Sequence, residues 1–247
     1  MRRPRFPKQK NSGFILLQTL WLLLLASLLA SIVMAVGLSN ARDGAAAIAA
    51  SRTENAAESA VHQVLYEMIV SGSRSPWLQE SSNSSVIEID GATVSVSVRD
   101  VSGLVDLNVS DESTLRQLTT ALSIVDAEKV IAAIKAAKPI TSYAALAALE
   151  GMTAETFALL SPYVTLFSRQ SLPTAENAPE RLTNILHLHK SPRSVMVDSN
   201  SIAGRSFRVV AMAHIKDISS PSLSAEILIT GRGDQLFLVY DWSWRPS

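Results

Sequence analysis

The feature that most constrains this chain is an uncharged, apolar stretch near its N-terminus. Residues 11–41 contain no charged side chain, and within them residues 14–38 read FILLQTLWLLLLASLLASIVMAVGL. As a helix that rises about 1.5 Å per residue, this segment is longer than the ~30 Å hydrocarbon core of a bilayer. Leucine and alanine favour helix, and a helix satisfies its own backbone in lipid. The stretch therefore predicts a transmembrane helix over 14–38.

The residues before this stretch are basic. Residues 1–12 hold five Lys and Arg and no acid, a net charge of +5. The whole chain is formally neutral, with 22 Lys+Arg and 22 Asp+Glu, so without residues 1–13 it has 17 basic residues (22 minus 5) against 22 acidic ones, a net charge of −5. Basic residues before an apolar span hold that end in the cytoplasm. We expect a single pass with the N-terminus cytoplasmic and the rest of the chain across the membrane.

Three kinds of N-terminal segment share this pattern. A cleaved secretory signal has a shorter apolar region than this one, followed by a small-residue cleavage site. An uncleaved single-pass anchor has no need of a cleavage site, and it stays open as an alternative. The third kind is a precursor cut at the cytoplasmic face of the membrane. Gly13 stands immediately before the apolar run, where a helix does not need glycine but a protease could use a small residue.

The junction over residues 8–17, KQKNSGFILL, resembles the class III signal of type IV pilins and of the pseudopilins of type II secretion. The resemblance implies that a prepilin peptidase cuts between Gly13 and Phe14 and methylates the new N-terminal Phe14. In that family the fifth mature residue is usually a glutamate, thought to neutralise the N-terminal amine of a neighbouring subunit, whereas here it is Gln18. A carboxylate in lipid is costly unless it is paired. The K-type minor pseudopilin, which is placed at the tip, characteristically lacks this glutamate.

Beyond the span, the pattern predicts that the helix continues and that a hairpin follows it. Apolar residues at helical spacing over 57–69 predict an amphipathic continuation of the helix over 39–71. Two alternating runs then flank Asp90 and Gly91. Since Asp-Gly between such runs is a strong signal for a two-residue turn, we expect a β-hairpin there.

The rest of the chain predicts a block of helices and then more strands. Residues 110–162 have apolar residues at helical spacing, with Asp126, Ser142 and Thr153 at positions that can cap helices. Alternating side chains from Phe207 onward predict a C-terminal antiparallel meander. Strands interrupted by a block of helices indicate an α+β head.

This order of elements resembles the K-type minor pseudopilin, general secretion pathway protein K. Residues 99–108, RDVSGLVDLN, look like that family's passage from a strand into its helical insertion, and residues 142–165 look like its later helices and exit strand. The implied fold is α+β, with a pilin-like long N-terminal helix packed on an antiparallel sheet and an inserted α-helical domain. The expected layout is a cleaved leader (1–13), a transmembrane helix (14–38), its amphipathic continuation (39–71), a first hairpin (86–108), the inserted helical domain (109–168), a linker (169–204) and the C-terminal antiparallel sheet (205–247).

Other kinds of site find little support. Residues 142–165 also look like a helix-hairpin-helix, but no Lys or Arg lies between 139 and 168, while Glu150 and Glu155 are negative. Because phosphate binding needs cations, we expect no nucleic acid partner. His187 and His189 have no thiolate available and no carboxylate nearby in sequence, which favours a plain surface pair over a metal site. No nucleophile elbow, phosphate loop or telling carboxylate pair is present, so we expect no catalytic residues and no enzyme activity.

No cofactor is expected from the residues themselves. Calcium binding is known in the resembled family, which implies that carboxylates in or near the helical insertion could bind it. Asp100, Asp106, Asp111 and Glu112 qualify by composition only. The sequence predicts no particular calcium ligands.

The resemblance implies a non-enzymatic role at the tip of the type II secretion pseudopilus, where the protein would initiate assembly and support protein export across the outer membrane. The implied location is the inner membrane, with a periplasmic head. The implied partners are I- and J-type minor pseudopilins, the major pseudopilin, prepilin peptidase, the secretin and exported proteins. A minor pilin of a type IV pilus and an uncleaved anchor with a periplasmic binding domain stay open as alternatives.

Overall fold

A computed structural model describes residues 12–79, 84–189, 201–216 and 218–245, with side chains from residue 16 onward. Most of the predicted leader, residues 1–11, lies outside the described residues. The chain divides into two compact units, Met1–Ser51 and Arg52–Ser247. The described α-helices are α1 (Ser12–Ser71), α2 (Glu112–Ala121), α3 (Ala127–Ala137), α4 (Tyr143–Ala147), α5 (Ala154–Leu160) and α6 (Glu180–Ile185). The described strands are β1 (Ser84–Ile89), β2 (Ala92–Asp100), β3 (Val105–Asp106), β4 (Val164–Thr165), β5 (Ser206–Ile215), β6 (Ile218–Ser219), β7 (Ser222–Ile229) and β8 (Phe237–Arg245).

Helix α1 runs without a break for 60 residues and belongs to both units. In the first unit its side chains from Leu16 to Ile48 are exposed. In the second unit one stripe of the helix is buried: Ala56, Ala57, Ala60, Val61, Val64, Leu65 and Met68. This spacing of three and four residues is that of one helix face. One face of α1 is therefore buried in the second unit, whereas residues 39–48 of the continuation predicted over 39–71 are exposed.

The main sheet is antiparallel and has the strand order β1-β2-β5-β7-β8, with the short β6 paired to β5. Strands β2 and β5 are neighbours in this sheet, although β2 ends at Asp100 and β5 begins at Ser206. The chain between them holds four helices over 112–160 and the short α6. The helical block is thus an insertion between two adjacent strands, as the sequence predicts.

The turn between β1 and β2 is the predicted Asp-Gly turn. Ile89 pairs with Ala92, and Asp90 and Gly91 have φ values of 48° and 76°. Two positive φ values define the type I′ turn, whose twist matches that of the flanking strands. The prediction of a hairpin at this position is confirmed.

The second unit has two apolar cores. The first lies between the buried stripe of α1 and one face of the main sheet, where Val94, Val96, Phe207, Val209 and Ile227 are almost fully buried. The second lies inside the helical block and includes these residues: Val105, Leu107, Leu115, Leu118, Ile131, Ile134, Leu146, Leu160, Val164 and Leu182. The alternation of side chains in the strands and the helical spacing in the block each supply one apolar face for these cores.

Two predicted boundaries differ from the structure. The hairpin predicted over 86–108 ends at Asp100, because β3 instead pairs in parallel with β4 as a separate two-stranded sheet. The linker predicted over 169–204 contains helix α6, whose Leu182 is fully buried in the second core. In both cases residues distant in sequence provide the partner, so local pattern does not show it.

The predicted helix caps are correct at two of three positions. Ser142 Oγ accepts a hydrogen bond from the Ala145 amide, and the Thr153 side chain accepts one from the Thr156 amide. Asp126 precedes α3 but makes no capping hydrogen bond, so that prediction is wrong. The backbone at Asp126 is left-handed, with φ 55° and ψ 36°, whereas a capping side chain needs an extended backbone to reach the first turn.

Candidate functional site

The first candidate site is the apolar part of α1 in the first unit. An 18-residue window has a mean hydropathy of 2.4, and none of it is buried. Trp21, for example, is 60% exposed. Apolar patches of this size are rarely left in water. By length and composition, this is the one helix among the described residues that is able to cross a membrane.

Hydroxyl groups within this part of α1 bond to the helix itself. Thr19 Oγ1 donates to the Leu16 carbonyl at 2.9 Å, and Ser31 Oγ donates to the Ser27 carbonyl at 2.9 Å. Such hydrogen bonds to the preceding turn satisfy the hydroxyl donors of Thr19 and Ser31. That arrangement suits a hydrocarbon environment, where an unsatisfied polar group costs several kcal/mol.

The predicted processing and assembly residues lie at the start of the same helix. Gly13 and Phe14 are in its first turn, and Gln18 follows one turn later with an exposed side chain. The structure brings these three residues together because they are close in sequence.

The second candidate site is a buried polar cluster in the second unit, which we call the polar joint: Tyr143, Thr165, Arg208 and Glu226. Glu226 on β7 is fully buried and Arg208 on β5 is 6% exposed. Arg208 Nε donates to Glu226 Oε1 at 2.7 Å, and Arg208 Nη2 also contacts that oxygen. Thr165 Oγ1 donates to the other carboxylate oxygen, Oε2, at 2.9 Å.

The polar joint connects the main sheet to the helical block. Tyr143 on α4 donates its hydroxyl to Glu226 at 2.5 Å and accepts from Arg208 Nη2 at 2.5 Å. Arg208 also donates to the carbonyls of Ser161 at 2.8 Å and Val164 at 2.6 Å. Because the ion pair is on strands β5 and β7 and its other partners are on the block, the joint fixes the block to one face of the sheet.

Burial and neighbouring charges shift the pKa values of Tyr143 and Arg208 in the joint. Burial raises the pKa of Tyr143, and the Glu226 carboxylate beside it acts in the same direction. Burial disfavours the charge on Arg208, but Tyr143 and Glu226 outweigh it and raise the pKa of that guanidinium. The joint therefore keeps a neutral tyrosine and a charged arginine at neutral pH.

Sequence reasoning missed the polar joint. Arg208 and Glu226 stand at alternating positions of their strands that normally face solvent, and the block that covers them lies far away in sequence. One signal was present: the two opposite charges are direct cross-strand partners in the register of β5 and β7. Recognising that pairing requires the register, which the sequence did not provide.

The carboxylates considered for calcium are already occupied by protein donors. Asp100 Oδ2 accepts from Arg205 Nε at 2.9 Å and Nη2 at 2.6 Å, and its other oxygen accepts from the Ser102 amide at 2.8 Å. Asp106, 1% exposed, accepts from the Arg169 amide at 2.7 Å. These oxygens stabilise loops and an ion pair.

The other two carboxylates serve helix α2. Asp111 caps it by accepting from the Thr114 amide at 2.8 Å, which lowers the pKa of Asp111. Glu112 pairs with Lys135 and Arg116, and the pKa of Glu112 is lowered by Lys135 first. Across the described ranges no group of three or more metal-ligating side chains occurs. The four carboxylates therefore do not fit a calcium site.

No protein-family model matches the sequence, and no curated protein matches it. Among solved structures, the chain is similar to one chain of the crystal structure of the GspK-GspI-GspJ complex from the enterotoxigenic Escherichia coli type 2 secretion system. The TM-score is 0.54 at 14% sequence identity, over 84% of this chain and 100% of the other. The two chains share a fold. The likeness confirms the predicted α+β class, with a long N-terminal helix, an antiparallel sheet and further helices.

Proposed function

We propose that the chain is a K-like minor pseudopilin of a type II secretion system and acts at the tip of the pseudopilus, without enzyme activity. The observation that carries this proposal is the fold shared with a subunit of a minor pseudopilin complex. The exposed apolar helix and the helical block between β2 and β5 support it. The partners on this proposal are the I- and J-type minor pseudopilins and the major pseudopilin, with the secretin and exported proteins beyond them.

The N-terminal segments have successive roles in this proposal. The basic leader holds the precursor in the inner membrane with its N-terminus in the cytoplasm and its head in the periplasm. Prepilin peptidase cuts between Gly13 and Phe14, and the apolar helix then leaves lipid to pack against the helices of other pseudopilins. Leaving lipid is feasible because helix-to-helix packing replaces the lipid contacts of the same apolar side chains.

The tip position is supported by Gln18 and by the helical block. A glutamate at this position needs a cationic partner in the membrane, whereas a neutral glutamine does not. The block adds five helices to the head between two neighbouring strands of the sheet. We infer that this bulk prevents another subunit from stacking above the protein. The protein would then initiate the pseudopilus and stay at its tip.

Mass spectrometry of the N-terminus tests the processing. In a strain with active prepilin peptidase, we expect the mature chain to begin with N-methylated Phe14. In a strain without the peptidase, we expect an intact leader. An intact leader in both strains would contradict the proposal and favour an uncleaved membrane anchor.

The variant Gln18→Glu tests the tip position. We expect the copy number in sheared pseudopili, measured by quantitative immunoblot, to stay at that of a single tip subunit. Gln63→Glu is the matched control, because it adds the same charge at an exposed position of α1 in the second unit. If Gln18→Glu alone distributes the protein along the shaft, the block does not prevent stacking and the tip assignment is wrong.

A further inference from the structure

A groove on the outer face of the main sheet has no role in the proposed function. It has a volume of about 350 Å³, and we call it the arginine groove. Its lining includes Ser97, Arg99, Pro162, Arg208, Val210 and Arg245. It lies where β2, β5 and β8 meet the chain that follows α5, entirely within the second unit.

The charges around the arginine groove do not balance. Arg208 is paired with Glu226 in the polar joint, and Asp241 interacts electrostatically with Arg208 and Arg245. Among the described residues, three guanidinium groups at the groove thus stand against these two carboxylates. Within the described part of the chain, Arg99 makes one long hydrogen bond, 3.4 Å to the Pro162 carbonyl, so most of its donors are available.

Two polar atoms on this face of the sheet are buried without a partner. They are Arg245 Nη2 and Ser224 Oγ, and no hydrogen-bonding group among the described residues reaches either. The Arg245 guanidinium lies over the rings of Tyr143 and Phe157, at 5.2 and 5.8 Å from their centroids. These rings fix its position but accept no conventional hydrogen bond from Nη2. A buried donor without an acceptor costs free energy, and an acceptor that reaches it would recover that cost.

Burial is the main cause that lowers the pKa of the two outer arginines, and the positive charge of Arg208 acts in the same direction. Burial lowers the pKa of Arg245, and the neighbouring Arg208 lowers it further. Partial burial and Arg208 do the same to the pKa of Arg99. Both groups stay protonated at neutral pH, and an anion placed between them would reverse the unfavourable interaction.

The arginine groove continues into an uncharged depression on the same face of the sheet. The two share Ser84, Ser97 and Val210, and the depression extends to Val86 and Met212 with a volume of about 330 Å³. Val86 lies on the edge strand β1 and is 61% exposed. The combined surface has a cationic end and a longer part lined by serines and small apolar side chains.

We propose that the arginine groove binds an acidic side chain of a protein partner, within an extended segment that continues across the depression towards β1. The bidentate geometry of guanidinium groups suits a carboxylate. The length of the combined surface suits a peptide better than a free anion, which would occupy the cationic end alone. The proposal goes beyond the role in assembly and does not depend on processing at Gly13.

A binding measurement on the full chain in detergent tests this proposal. Because the chain has no cysteine, Ser97→Cys provides a single attachment site for an environment-sensitive dye in the groove. The probe is a hexaglutamate peptide, and the dye reports only what happens near position 97, so binding at the basic leader does not contribute. We expect a saturable change in fluorescence that weakens at high salt.

Substitutions then identify the residues responsible. Arg99→Gln and Arg245→Gln should each weaken the dissociation constant by about tenfold, the effect of losing one charge-assisted hydrogen-bonded contact. Arg232→Gln is the matched control, since it removes the same charge from the exposed turn between β7 and β8, which does not line the groove. It should leave the dissociation constant unchanged. Arg99 is more exposed than Arg245, so its variant keeps the test informative if Arg245→Gln disturbs folding.

Three results would overturn the proposal. The first is no saturable change at the dye. The second is an equal loss with Arg232→Gln, which would indicate general attraction of charge. The third is displacement of hexaglutamate by sodium phosphate at equal charge concentration, which would indicate a site for small oxyanions.

Discussion

At the scale of residues, the least expected feature is a buried ion pair on the outer face of a sheet. Taking Arg208 and Glu226 out of water is expensive, and hydrogen bonds from Tyr143 and Thr165 to the carboxylate offset that cost. A pair with all its hydrogen bonds made is specific in geometry, because few other arrangements of the block would satisfy it. The joint therefore determines how the block sits on the sheet.

We predict that Glu226→Gln destabilises the protein strongly. The amide keeps the shape of the side chain but leaves the buried Arg208 charge without its counter-ion, which costs about 3 kcal/mol of unfolding free energy. Urea unfolding of the full chain in detergent, followed by tryptophan fluorescence, is the measurement.

The control for this prediction is Glu88→Gln, the same change at an exposed position of β1, which should shift the unfolding free energy by less than about 0.5 kcal/mol. In the double variant Arg208→Gln with Glu226→Gln, the loss should be smaller than the sum of the two single losses, because no unpaired charge is left. Additive losses would show that the pair is not coupled.

At the scale of elements, local signals predicted those structures that depend on near neighbours in sequence. The Asp90-Gly91 turn and the caps at Ser142 and Thr153 were predicted because each involves residues within four positions. The small β3–β4 sheet was not predicted, because Val105 pairs with Val164 across the four helices α2–α5. Strand pairing over such a distance is decided by packing.

We predict that Gly103→Ala displaces the segment between β4 and α6. A Cβ at position 103 would lie 2.1 Å from the Asn177 carbonyl oxygen and 2.6 Å from the Ala178 nitrogen, both of them backbone atoms. The segment is held at this place by the Thr174 amide, which donates to the Ser102 carbonyl at 2.8 Å. Overpacking of this kind costs about 1–3 kcal/mol. The measurement combines urea unfolding with amide hydrogen exchange at Thr174, which should accelerate.

Gly233→Ala is the matched control, since nothing lies within 4 Å of a Cβ built there. Its unfolding free energy should stay close to that of the unsubstituted chain. Equal effects of the two substitutions would mean that the close approach at Gly103 does not stabilise the fold.

At the scale of the whole molecule, the chain has one unit that exposes apolar surface and one that buries it. In the first unit, the helix from Leu16 to Leu38 presents large apolar side chains to its surroundings. In the second unit, the same helix buries a stripe that includes Val61 and Met68 against the main sheet. A surface like that of the first unit suits lipid or other helices, whereas the second unit is packed as a globular head.

We predict that two arginines in the middle of the apolar segment prevent stable membrane insertion. In the double variant Leu25→Arg with Leu28→Arg, the two charges together raise the free energy of membrane insertion by about 5–7 kcal/mol. The fraction of protein that stays in the membrane pellet after alkaline carbonate extraction should fall markedly.

The control is Ala45→Arg with Ile48→Arg, which adds the same charges to α1 beyond Arg42, in a part of the helix that already carries charge. That variant should stay in the pellet. If both variants are extracted equally, the segment over 14–38 is not the membrane anchor.

The sequence by itself determined the properties that depend on composition and short-range order. The uncharged run over 11–41 predicted the exposed apolar helix because hydropathy and length are sufficient for that inference. Alternation and helical spacing likewise predicted the α+β class, and the insertion of the block between strands followed from the order of the elements. The processing residues Gly13 and Phe14 and the role of Gln18 stay predictions.

Only the tertiary structure decided which polar groups are buried and which surfaces are charged. The ion pair of Arg208 and Glu226 is buried because the block covers the outer face of the sheet there. Arg99 and Arg245 line one groove although they are far apart in sequence, since β2 and β8 belong to one sheet. Burial and electrostatics depend on all neighbours in space, and sequence spacing specifies only those neighbours that are close along the chain.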